Sequence, residues 1–127
     1  MKFIKFNDIN YQPASHEDPK NPGVLKKIML TSNELISGQV QMLNWALLEP
    51  NKSFNLHYHQ DMDEVFIITQ GTAQMTVNNS TVTMNQGDCI LVEANEHHSM
   101  KNVSESPVHY LVFGISRNQN GKTINVE

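Results

Sequence analysis

The chain has one cysteine, Cys89, among its 127 residues, so no internal disulfide can brace it. It has no apolar run approaching the ~20 residues that a membrane span needs. Its first residues, "MKFIKFNDINYQP", lack an apolar run of signal-peptide length. It has no block of basic residues, and its formal net charge of −4 disfavours nonspecific contact with nucleic acid. No Ser/His/Asp or Cys/His order and no phosphate-cradling motif is visible. Low-complexity tracts and repeats of solenoid period are also missing. These absences describe a soluble, cytoplasmic chain with neither a nucleic-acid nor a membrane partner. Its length fits one domain, able to bury roughly two thirds of the surface that the unfolded chain exposes.

What is present is a succession of short β-rich runs punctuated by Gly, Pro and Asn. They span Lys2–Phe6, Leu25–Leu30, Gln39–Leu48, Ser53–His59, Glu64–Thr69, Ala73–Val77, Thr81–Met84, Cys89–Glu93, His98–Val103 and Val108–Ile115. Asn78-Asn79 reads as a hairpin turn, and Gly87 in "NQGD" can take a positive φ. "SNELISG" offers at most a short helical turn. Residues 13 to 23, "PASHEDPKNPG", carry three of the five prolines and read as an arm or linker. The division expected is therefore an N-terminal strand and arm over residues 1–24, then a β-structured body over 25–127. Many strands with little helix predict an all-β sandwich or barrel.

"SFNLHYH" alternates cleanly. As a strand it places Ser53, Asn55, His57 and His59 on one face and Phe54, Leu56 and Tyr58 on the other. Either the polar face meets water or it lines a pocket. The next run, Glu64 to Thr69, is apolar on both faces and should be buried on both, with Glu64 at its start. A carboxylate there needs a partner. In an antiparallel sandwich the His98 run can return beside His57, bringing three imidazoles and one carboxylate together.

These residues resemble the cupin superfamily. Its first motif, G-x5-H-x-H-x3,4-E-x6-G, corresponds to Asn51, His57, His59, Glu64 and Gly71. Its second, G-x5-P-x-G-x2-H-x3-N, corresponds to Gly87, Glu93, Asn95, His98 and Asn102. Asn51, Glu93 and Asn95 replace the family's Gly, Pro and Gly, all at turns. The resemblance implies a small single-domain cupin, an antiparallel jelly-roll β-barrel. It also implies a metal held by His57, His59, Glu64 and His98, and a homodimer with exchanged N-terminal strands.

Such a ligand set suits one divalent transition metal: Fe, Mn, Ni, Co, Cu or Zn. Four protein ligands on a six-coordinate ion leave room for a chelating small molecule, for oxygenase-like or sugar/keto isomerase-like chemistry. A non-catalytic binding or sensing protein is the alternative. By strand parity Asn55, Phe66 and Ile68 are pocket residues, and Glu64 is a possible base if it leaves the metal. His97 should face away from His98 and lie at the rim or surface. His16 reads as solvated, His109 fits either face, Cys89 reads as a buried small residue, and Trp45 as a core or pocket-wall aromatic. The Lys26-Lys27 pair reads as a strand edge, and the methionines as core filling.

Overall fold

The computed structural model describes residues 3, 5–34, 39–116 and 121–127. Among them are eleven strands: β1 (Gln12–Pro13), β2 (Leu25–Thr31), β3 (Val40–Leu48), β4 (His57–His59), β5 (Met62–Gln70), β6 (Ala73–Val77), β7 (Ser80–Met84), β8 (Cys89–Val92), β9 (His98–Lys101), β10 (Val108–Ser116) and β11 (Thr123–Asn125). They form one six-stranded sheet, β1-β2-β3-β10-β5-β8, and one five-stranded sheet, β11-β4-β9-β6-β7. Every pairing recorded is antiparallel.

The jelly-roll barrel implied by the resemblance is therefore corrected: the two sheets are not closed into a barrel. Each keeps two edges, and no ladder joins one sheet to the other among the described residues. The edges show why. β1 is two residues long and ends in Pro13, which has no N–H to extend a ladder. β7, at the edge of the second sheet, is exposed along Ser80 to Thr83, and its polar residues suit solvent.

The core lies between the sheets. Along β5 burial alternates, with Met62, Glu64, Phe66 and Ile68 inward. β10 sends Val108, Tyr110 and Val112 to the same side, and β3 sends Asn44, Ala46 and Leu48. The second sheet answers with Ala73, Met75, Met84 and Met100. Unbranched, flexible methionine fills the irregular spaces between two twisted sheets. The outer residues Val65 and Ile67 are only partly buried, so β5 is fully covered on one face and not on both.

Several expected elements differ. Phe6–Asp8 form a 3-10 turn rather than the end of a strand, while Lys2 and Ile4 lie outside the described residues. "SNELISG" is one 3-10 turn at Ser32–Glu34, and residues 35–38 lie outside the described ones. The strand expected over Ser53–His59 is regular only from His57. Before it, the chain departs from strict alternation: Phe54 is buried beside His57, and Leu56 is exposed. The supposed outward triplet Phe54-Leu56-Tyr58 is thus broken, with Phe54 in the core. Cys89 is exposed rather than buried. Trp45 turns to the outer face, away from Asn44 and Ala46, and its Nε1 donates to His109 Nδ1 at 2.9 Å. Residues 13 to 23 are no free linker, since Ala14 within them and Val24 just after them join the core.

Asn102, the last residue of the second motif, is fully buried. Its Nδ2 donates to Leu48 O (3.0 Å) and Ser106 O (2.7 Å). Its Oδ1 accepts from Ser104 N (2.9 Å) and Ser104 Oγ (2.7 Å). The amide therefore ties the end of β3 to the β9–β10 loop. Asn102→Ala strands several buried polar groups and should cost about 3 kcal/mol. Urea unfolding measures it, and a change under about 0.5 kcal/mol, the range of surface substitutions, would show the network to be dispensable.

Candidate metal centre

Two sheets supply the site. β4 carries His57 and His59, β9 carries His98 directly opposite His57, and β5 carries Glu64 from the facing sheet. All four side chains are buried, and their ligating atoms lie within 4.8 Å of one another. Glu64 Oε1 stands 2.8 Å from His59 Nε2 and 3.0 Å from His98 Nε2.

The outer nitrogens fix the rings. His57 Nδ1 donates to Asn55 O at 2.7 Å, and His98 Nδ1 donates to Glu96 O at 2.9 Å. His59 Nδ1 meets Thr123 Oγ1 at 3.0 Å. A neutral imidazole whose Nδ1 carries the proton presents a bare lone pair at Nε2. Glu64 Oε1 is an acceptor as well. Two acceptors 3.0 Å apart need a cation between them, either a proton or a metal. His59 Nε2 is also buried without a proper hydrogen bond; at 2.8 Å from Glu64 it is close, but not in hydrogen-bond alignment. The donor set therefore fits a single divalent transition metal, and the compact cluster forms a plausible site for one.

Charge placement agrees. Burial pushes the His57 imidazole down to about 3, helped by His16 and His98 nearby. It is thus neutral and able to donate a lone pair at ordinary pH. Burial opposes the charge of Glu64, but the close His59 and His98 imidazoles beside its Oε1 outweigh it. The carboxyl stays well below the usual carboxylate range.

The turns around the ligands explain the departures from the motifs. Asn51 (φ 63°) and Asn95 (φ 71°) occupy the left-handed region that the family's glycines would favour. Asparagine tolerates it better than most residues. Asn95 N donates to His59 O at 2.7 Å, so this turn is tied to the ligand strand. Glu93 uses the N–H that proline lacks, donating to Glu96 Oε1 at 2.8 Å.

A cavity of about 290 Å³ opens beside the cluster, lined by His57, His59 and Glu64 among others. Of the pocket residues expected from parity, Phe66 lines it, whereas Asn55 and Ile68 do not. Asn55 is exposed, and Ile68 is buried in the core. The break in alternation before His57 turned Asn55 away. His97 stacks on Tyr58, with ring centroids 4.6 Å apart, on the face opposite His98.

His16 was not foreseen as part of this site. It is not solvated: it lines the cavity and stacks on His57 with centroids 4.1 Å apart. Glu17 holds it, accepting from His16 Nδ1 (2.8 Å), Gly23 N (2.7 Å) and Asn55 N (2.8 Å). Nothing in "ASHEDPK" signals this, because the contact spans about forty residues of chain. Asn55 in turn orients His57 through its carbonyl. Glu17→Ala should destabilise the fold by about 3 kcal/mol and weaken metal binding roughly tenfold. Thermal melts and metal titration read the two effects. Unchanged metal affinity in the variant would separate the arm from the site.

Comparison with known proteins places these features. The chain is 26% identical to an uncharacterised protein of Methanocaldococcus jannaschii over 111 residues, 87% of this chain and 85% of that protein. It is 25% identical to an oxalate-binding protein of Thermotoga maritima over 89 residues, 70% of this chain and 74% of that one. The crystal structure of a predicted oxalate decarboxylase of Thermotoga maritima superposes with a TM-score of 0.80 at 21% identity, covering 91% of this chain and 99% of that one. Residues 44–114, more than half of the chain, match the cupin domain, and the protein belongs to the cupin family.

Proposed function

We propose that the protein is a metal-dependent enzyme acting on a small, oxygen-chelating molecule in the cavity. One observation carries this reading: three imidazoles and a carboxylate converge, buried, against an open cavity. In this proposal His57, His59, Glu64 and His98 hold one divalent metal. When bound, the metal supplies Lewis-acid polarisation of an oxygen ligand. The chain's own groups do the rest. The two carbonyl-anchored rings and the opposed carboxylate fix the donor directions before any ligand arrives. The walls of Phe54, Phe66 and Val112 limit water around it. Glu64 is better suited as a ligand than as a base, since its contacts favour the carboxylate and make it weakly basic.

A second reading is non-catalytic binding, favoured by the similarity to an oxalate-binding protein. Oxygen uptake and isomerisation assays over a panel of enediols, diketones and keto sugars, run on each metal form, separate the two. Turnover by any form supports the enzyme; tight ligand binding without turnover supports the second reading. Soluble residence in the cytoplasm and a homodimer belong to the same proposal. Exposed Leu56, Leu91 and Val103 offer apolar surface for a second copy, and sedimentation as a monomer at micromolar concentration would remove the dimer.

His57→Ala, His59→Ala and His98→Ala should each lose the metal while remaining folded, as read by metal analysis and circular dichroism. Full affinity in His98→Ala would overturn the ligand set. Acid should also weaken the metal-free fold. The folded His57 titrates at about 3 against 6.5 unfolded, so below about pH 6.5 the unfolded chain gains a proton that the folded site refuses. Glu64, lowered from 4.5, adds stability that is lost as pH falls further. Both contributions fall with falling pH, and protons compete with the metal as well. The melting temperature should therefore drop steadily between about pH 7 and pH 4. A flat profile across that range would contradict the buried neutral cluster.

A further inference from the structure

The lysine pair on β2 is divided by strand alternation. Lys27 takes the outer face, where its Nζ donates to Phe6 O at 2.9 Å and lies 3.6 Å from the Phe6 ring centroid. Its charge is satisfied there. Lys26 takes the other face with Ile28 and Leu30, and all three line the cavity. Among the described residues no carboxylate, carbonyl or ring meets the Lys26 ammonium. Burial lowers its pKa, with no neighbouring acid to offset the effect. A partly buried cation without a partner is unfavourable until an anion arrives.

A second, independent observation lies beside it. Asn44 on β3 is 6% exposed and lines the same cavity, yet its Oδ1 is buried with no hydrogen-bond partner. Lys26 pairs with Ala46, and Ile28 with Asn44, so Lys26 and Asn44 are diagonal neighbours, roughly 7–8 Å apart between backbones. In the same sheet Asn44 pairs with Val112, Val112 pairs with Phe66, and Glu64 lies two residues before Phe66 on β5, on the same face. Asn44 and Lys26 thus line the same cavity as Glu64, with Val112 and Phe66 between Asn44 and the cluster.

We propose that Lys26 and Asn44 form a recognition half-site for the far end of the ligand. The substrate class is then a hydroxylated acid with two oxygen-rich ends. Its near end chelates at the His/Glu cluster, which rests on the function proposed above. A hydroxyl in its middle is held by Asn44, and a second anionic group, carboxylate or phosphate, pairs with Lys26. A short chelator such as oxalate fills the near end only and leaves both residues unsatisfied.

Calorimetric titration of the manganese(II)-loaded protein with D-glucarate, phosphogluconate and D-gluconate tests this, gluconate lacking the second anionic group. The two-ended acids should bind about tenfold more tightly than gluconate. Whichever of the two is preferred identifies the anion. Lys26→Gln should reduce the ratio to near one while leaving gluconate affinity and metal content unchanged. Asn44→Leu should weaken all three ligands yet keep or raise the melting temperature, because it removes an unsatisfied buried acceptor. Equal binding of gluconate by the unaltered protein overturns the proposal. So does a preference that survives Lys26→Gln, or no measurable binding of either two-ended acid. A fall in melting temperature with unchanged ligand affinities removes Asn44 from the half-site. Metal-stripped protein separates the two readings. If it keeps a Lys26-dependent preference, the half-site stands and chelation at the metal falls.

Discussion

A carboxylate buried between two sheets sets the terms for the rest of this molecule. Glu64 sits on β5 at an inward position, in the same row as the buried apolar residues Met62, Phe66 and Ile68. Removing a charge from water costs several kcal/mol unless counter-charge and hydrogen bonds meet it. Only the facing sheet can supply them at that depth, and it does so with His59 and His98. The register of β4 on β9, which sets His57 opposite His98, brings the imidazoles together on the sheet that faces that side chain.

Legibility in the sequence followed range. The four-residue cluster was readable because each motif is local: His57 and His59 share a face by alternation, and His98 and Asn102 follow a turn at fixed spacing. Most strand centres were readable for the same reason, as in Ala73–Val77. Closure of the sheets was not, because it depends on edge pairing between distant segments, and the edges here are short or polar. β1 and β11, two and three residues long, carry too little pattern to announce themselves. Asn55 was misplaced because one departure from period two, between Phe54 and His57, reverses every side chain before it.

Asparagine at two of the three altered motif positions shows how the site tolerates change. The backbone demands a positive φ at residues 51 and 95, and a ligand carbonyl depends on the second turn through Asn95 N. What the motif preserves is therefore a conformation rather than a residue. Glycine supplies it with no side chain, and asparagine supplies it at small steric cost.

The N-terminal arm reaches the cluster through hydrogen bonds. Glu17 accepts from Asn55 N, Asn55 O accepts from His57 Nδ1, and His57 faces the cluster. A hydrogen-bonded relay thus runs from a segment that reads as a linker to the first ligand of the motif. Such outer partners set ring orientation and lone-pair direction as firmly as the ligating strand does. The same segment places His16 flat against His57 at the cavity wall. A cluster built on the β4 and β9 strands alone would leave that face of His57 to solvent. With the arm folded over it, the ring packs against both His16 and Phe54, so the cavity, rather than bulk water, becomes the approach to the cluster.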